Sequence, residues 1–187
     1  HGESTCEDGF YTAGQDETDD VVAAISWLKD KGIKSSNIGL YGSSLGGLVA
    51  LMTPAKTDDF GSIAVIDPPV DFKTLVREEM AYQGLPTFLW EPLYHYAAIF
   101  KGVNMLKDIP EEALTKGNKQ PLLIFTGLLS ERVQPHHSDD LVNIAVQNNI
   151  EYDIHKYTDM NHTQILYFYT EEYSEKLSQF YLKTLSN

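Results

Sequence analysis

The chain has 187 residues, and 14 Lys plus Arg against 27 Asp plus Glu give a formal net charge of −13. Hydrophobic residues make up 42% and charged residues 22%, ordinary globular usage that excludes intrinsic disorder, collagen-like repeats and low-complexity material. The acidic balance, with no run of Lys or Arg, excludes a surface that tracks phosphates, because counterion release needs clustered basic side chains. Nucleic acid is not an expected partner.

The single cysteine, Cys6, excludes an intramolecular disulfide and a cysteine-only zinc site, and it reads as an inert thiol. No apolar run approaches the roughly 20 residues of a spanning helix, and no charged-then-apolar leader is visible. A cytoplasmic location without a membrane span is therefore expected. Because the first residue is His1 rather than Met, the chain reads as a piece of a longer one.

In chain order, residues 18–31 read as an amphipathic helix, with Val21, Ala24, Ile25 and Leu28 at helical spacing, acids at its start and lysines at its end, stopped by Gly32. Residues 37–41 supply a short strand. A glycine-rich turn then leads into the apolar segment 45–52, a buried helix. Residues 61–67 hold the continuous apolar run Ile63, Ala64, Val65, Ile66, as a strand covered on both faces would, and Pro68-Pro69 ends it. Residues 122–126 repeat that pattern before Gly127. Between those strands, 71–119 is long, helical in flavour and aromatic, holding Phe88, Trp90, Tyr94, Tyr96 and Phe100. It reads as a cap-like insertion whose aromatic residues pack core or wall an apolar pocket.

Residues 138–149 form another amphipathic helix, 151–157 alternate as an edge strand, and a last helix at 171–185 presents Tyr173, Leu177, Phe180, Tyr181 and Leu185 to the core. Strands alternating with helices imply an α/β fold, with a mostly parallel sheet covered by helices on both faces. One domain over 1–187 is expected.

Gly42-Ser43-Ser44-Leu45-Gly46 satisfies G-x-S-x-G and sits between a predicted strand and a predicted helix, where a sharp turn exposes the central side chain. Glycines at 42 and 46 would give the backbone room to pass its neighbours. Ser44 is then the nucleophile. At the amino end of the following helix, N–H groups and the helix dipole favour developing negative charge, and the Leu45 N–H becomes one oxyanion donor.

Of six histidines, His162 alone follows the last strand in a short polar turn, from which a loop reaches back over the sheet's carboxyl edge. Its imidazole has the pKa for taking and returning a proton near neutrality, so His162 is the expected base. His136 and His137 are adjacent and should not easily face one site, His95 lies in the aromatic stretch and His155 in the edge strand. No metal-ligand spacing stands out, and neither a metal nor a dissociable cofactor is implied.

These residues resemble the α/β-hydrolase superfamily, and within it serine hydrolases of the serine aminopeptidase-like and α/β-hydrolase domain-containing 17 kinds. The likeness covers nearly the whole chain. The segment 39–47 resembles the nucleophile elbow, 66–72 the turn after the sixth strand, 134–138 a helix entry after the seventh, and 1–4 the turn after the fourth. The resemblance implies that three or four N-terminal strands, with the loop donating the second oxyanion N–H, are not in these 187 residues. The strand at 37–41 would then be left as an edge open to self-association.

In that superfamily an aspartate after the seventh strand orients the histidine, whereas Ser130 occupies the place here. A serine can hold a histidine tautomer, but it offers no charge to balance the imidazolium of the transition state. Glu131, one residue on, is the favoured substitute; Asp67, at the end of the preceding strand, is an alternative acid, and the acid's outright loss is a third. The expected function is hydrolysis of an ester, thioester or amide in a small-molecule, acyl-lipid or peptide substrate. The rival is an impaired hydrolase-fold binding protein.

Overall fold

The computed structural model describes residues 11–101, 104, 106, 107 and 109–185; Cys6 and the motif at 1–4 lie outside them. Among these residues four strands, β1 (Gly39–Ser43), β2 (Ser62–Ile66), β3 (Leu122–Gly127) and β4 (Tyr152–Tyr157), form one sheet in the order β1-β2-β3-β4, each paired in parallel with its neighbour. Parallel neighbours require crossovers, and the helices α1 (Glu17–Asp30), α2 (Leu45–Met52), α3 (Phe72–Tyr82), α4 (Trp90–Lys101), α5 (Pro110–Lys116), α6 (His136–Asn148), α7 (Ile165–Phe168) and α8 (Thr170–Thr184) lie between or beyond the strands.

Alternation along the strands divides the core. Ile63, Val65, Leu122 and Ile124 point to one face, where Ile25 of α1, Leu51 of α2, Leu114 of α5 and Leu141 of α6 close over them. Ala64, Ile66, Leu123 and Phe125 point to the other, against Ile165 of α7 and Tyr173 of α8. All residues of β2 and β3 are buried, so their sequences read as unbroken apolar runs, whereas β4 is buried only at its last residue. Among the described residues β1 pairs on one side only, and Tyr41 on it is 46% exposed. Among the described residues no helix is long and apolar enough to cross a membrane.

Two local differences from the sequence expectation have clear causes. The first strand begins at Gly39 because Ser35–Asn37 is a 3₁₀ turn closed by the bond from Ile38 N–H to Ser35 O. It runs on through Ser43 because its ladder with β2 continues to Ile66. The aromatic stretch is the larger difference. Trp90 is buried and stacks on Tyr94 at 5.5 Å, with Phe72 of α3 at its edge, but Phe88, Tyr96 and Phe100 are exposed, the last two with their rings 4.8 Å apart.

Candidate active site

The chain turns sharply where β1 meets α2. Ser44 has φ 53° and ψ −121°, a left-handed conformation that costs a residue with a side chain about 1–3 kcal/mol and that the surroundings must hold in place. Ser44 N–H is tied to Ile66 O at the end of β2, and Ser44 O accepts from Gly47 N–H and Leu48 N–H. Only one of the two signature glycines is sterically required: a Cβ on Gly42 would lie 2.1 Å from Gly46 O, whereas one on Gly46 meets nothing within 4 Å. The close approach the sequence assigned to Gly46 belongs to its neighbour Gly47, whose Cβ would sit 3.0 Å from Pro68.

The loop from β4 to α7 comes back over the strand ends. Gly127, at the end of β3, permits it, since a Cβ there would lie 2.6 Å from Met160 O. Leu128 N–H bonds Tyr157 O and Leu129 N–H bonds Met160 O, fixing the loop against the segment after β3. His162 thereby reaches the turn: its Nε2 lies 2.9 Å from Ser44 Oγ, across 118 residues of sequence. Its Nδ1 lies 3.2 Å from Ser130 Oγ and 3.9 Å from Asp67 Oδ2. With Nε2 accepting from the Ser44 hydroxyl, the ring proton sits on Nδ1 and donates to Ser130 Oγ.

Asp67 is 1% exposed and has φ 42°, so its backbone leaves β2 abruptly and turns the carboxylate under the loop. There it accepts two backbone bonds, from Gly127 N–H at 2.8 Å and from Thr163 N–H at 2.7 Å. One carboxylate thus ties the end of β3 to the histidine loop. Burial pushes the Asp67 carboxyl above the usual range, opposed by those backbone bonds and by the His162 charge. Burial also lowers His162 below the ordinary histidine value, while Asp67 pulls it back up. A neutral, proton-accepting imidazole at neutral pH follows.

Glu131 does not join this arrangement. It is exposed, and the contact on its residue runs from its backbone N–H to Asn161 Oδ1 at 3.4 Å. The carboxylates whose charge acts on His162 are Asp67 and Glu79. The substitution at 130 leaves the serine hydroxyl pointing at the imidazole, so the chain direction that carries Ser130 inward carries Glu131 outward.

Beside Ser44 and His162 lies an open cavity of about 320 Å³, walled by Leu45, Pro69, Leu75, Val76, Met80 and Val133, with Glu79 and Arg132 as its charged members. None of its wall comes from the aromatic stretch 88–100. Leu45 opens α2, and at that first position its N–H has no intrahelical acceptor, whereas those of Gly47 and Leu48 are taken by Ser44 O.

His136 and His137 do converge, against the sequence expectation. Their rings stack at 4.4 Å, and Glu78 lies between the two Nε2 atoms, at 2.6 Å from His136 and 3.2 Å from His137. The ligand atoms of all three residues fall within 4.8 Å of one another. Val70 N–H donates to His137 Nδ1 at 3.3 Å, which puts that ring's proton on Nε2, facing Glu78. This tautomer makes the buried ring a tie between the β2–α3 connection and α6 rather than an open metal ligand.

A parallel sheet with helices on both faces, a strained serine at a strand–helix turn and a histidine loop over the strand ends define an α/β-hydrolase fold. The chain belongs to the prolyl oligopeptidase family (Peptidase_S9), matched over residues 1–187, which fits the α/β-hydrolase superfamily that its motifs resembled. It is 24% identical over 149 residues to proteins of Rattus norvegicus and Mus musculus named inactive dipeptidyl peptidase 10, an alignment covering 78% of this chain and 17% of theirs.

Among solved structures, it superposes on a Mycobacterium tuberculosis puromycin-hydrolyzing peptidase with a TM-score of 0.76 at 20% identity, covering 94% of this chain and 26% of that one. The Pyrococcus furiosus esterase Pf2001 gives 0.72 at 23% identity, covering 100% and 67%, and the Pyrococcus horikoshii acylaminoacyl peptidase 0.71 at 16%, covering 92% and 28%. The chain spans about a sixth of the length of the curated relatives it matches.

Proposed function

We propose that these residues form the catalytic part of a serine hydrolase that cleaves an ester, thioester or amide through an acyl-enzyme on Ser44. The observation that carries the reading is the 2.9 Å approach of His162 Nε2 to Ser44 Oγ at a strained turn. His162 takes the Ser44 proton as the oxygen attacks the substrate carbonyl, and returns it to the leaving group; water then releases the acyl group by the same route in reverse. Leu45 N–H supports the oxyanion.

In this reading the usual work of one acid is divided. Ser130 Oγ accepts a hydrogen bond from Nδ1–H and fixes the tautomer, and Asp67, 3.9 Å from Nδ1, supplies the negative charge that balances the imidazolium. Glu131 has no part. The named relatives include peptidases and an esterase, and the largely apolar wall beside Ser44 supports a peptide, small-ester or acyl-lipid substrate here.

The rival reading, a hydrolase fold that only binds, draws on Ser130 at the acid position and on relatives whose name includes "inactive". Pre-steady-state hydrolysis of a p-nitrophenyl ester by the full-length protein separates the two. A burst of p-nitrophenol stoichiometric with protein, absent in Ser44→Ala, is expected; a full-length protein with neither burst nor turnover is a binding module.

A further inference from the structure

The apolar wall beside Ser44 is interrupted by two opposite charges, Glu79 from α3 and Arg132 from the segment after β3. They pair loosely, with Arg132 Nη2 at 3.4 Å from Glu79 Oε1 and Nε at 3.5 Å from Oε2. The two partners are not equally held. The Arg132 side chain is 61% exposed, whereas that of Glu79 is 33% exposed and accepts a bond from Gln83 Nε2 at 3.0 Å on its own helix. Gln83 and Arg132 hold the Glu79 carboxyl below its ordinary value, so it is ionised. Both charges line the same cavity as Ser44 and His162, which places them within reach of whatever is bound to Ser44.

We propose that Glu79 selects substrates bearing a cationic group, an ammonium or guanidinium, at the end of an apolar stem, with Arg132 as the internal cation that such a substrate displaces. The selection rests on the hydrolase reading above. The apolar stem lies along Leu75 and Val76, with Met80 also on the cavity wall, and the charged end meets the carboxylate one turn further along α3. The opposite choice, an anionic substrate on Arg132, would have to expel Glu79, which is the anchored partner. It would also work against a chain of net charge −13, whose field draws cations and repels anions.

The p-nitrophenyl esters of N-acetyl-lysine and N-acetyl-norleucine, which differ in the terminal ammonium, test this in the full-length protein. A partly exposed pair of this kind should favour the lysyl ester in kcat/KM by about two- to fivefold. Glu79→Gln should bring the ratio to about one, and Arg132→Gln, which removes the competing cation, should raise it about threefold. Each ratio is internal to one variant, so differences in folded fraction cancel. A wild-type ratio near one, or a ratio unchanged in Glu79→Gln, overturns the proposal and leaves the hydrolase reading standing. If neither ester turns over, saturation-transfer NMR with pentylammonium against pentanol decides. Ammonium binding that is lost in Glu79→Gln upholds the recognition while the hydrolase reading falls, and equal or absent binding overturns both.

Discussion

Replacing Asp67 by Asn removes one negative charge from behind His162 and nearly preserves side-chain size. At 3.9 Å and an effective dielectric near 20, the attraction between that carboxylate and an imidazolium is about 4 kcal/mol, close to a thousandfold in rate. Because Ser130, not Asp67, accepts the hydrogen bond from Nδ1–H, the histidine keeps its tautomer, and the loss should be charge alone: a fall in kcat of about 10²–10³.

The amide also meets one of its two backbone donors, Gly127 N–H or Thr163 N–H, with an N–H of its own, which costs about 1–3 kcal/mol of stability. Turnover of a p-nitrophenyl ester is therefore normalised to active sites counted with a fluorophosphonate, and thermal unfolding is followed in parallel. Two readouts separate charge from mere damage. Asp67 raises the His162 pKa, so its removal should move the acidic limb of kcat/KM to lower pH. Adding Ser130→Asp to Asp67→Asn should recover about tenfold or more by putting a carboxylate directly on Nδ1. Folded Asp67→Asn enzyme with activity within about threefold of wild type would refute the division of labour between Ser130 and Asp67.

Other outcomes follow from the same geometry. Glu131→Gln should change kcat/KM by less than about twofold, since an exposed charge that does not act on His162 contributes little; a loss of orders of magnitude would return the acid to position 131. His162 must be neutral to accept a proton and burial lowers its pKa, so activity should rise with pH through a midpoint below the ordinary value of about 6.5, as a kcat/KM profile will read. Gly42→Ala should destabilise by about 3 kcal/mol or more in denaturant unfolding, whereas Gly46→Ala, whose methyl meets open space, should be neutral or stabilising by up to about 1 kcal/mol.

The parts of the site that a local pattern encodes were readable in the sequence. G-x-S-x-G between a strand and a helix located the turn at Ser44, and the order of elements put His162 on the loop that reaches it. Asp67 was visible only as an alternative, because its local signal, Asp before Pro, is that of any turn. Its placement depends on the β2–β3 register, which brings the end of β2 beside Gly127, and on a left-handed φ that no composition reveals. Glu131 was preferred for the length of its side chain, but the direction of the backbone is not legible in composition: Ser130 turns in and Glu131 turns out.

The same limit appears at the histidine pair. Adjacent side chains were expected to diverge, yet the first turn of α6 presents both rings to Glu78 of α3, a partner 58 residues earlier that spacing within α6 cannot disclose. For the cavity, an aromatic-rich stretch drew attention by composition, while the wall is built by the plainer apolar residues of α3, the helix that follows directly from the turn after β2.

Covalent labelling of the full-length protein by a fluorophosphonate, read by intact mass and peptide mapping, bears most directly on the claim that a histidine-activated serine sits at the β1–α2 turn. A single adduct on Ser44 is expected, lost in Ser44→Ala and slowed by orders of magnitude in His162→Gln. An unlabelled protein under conditions that modify a control hydrolase, or an adduct on another residue, would contradict it.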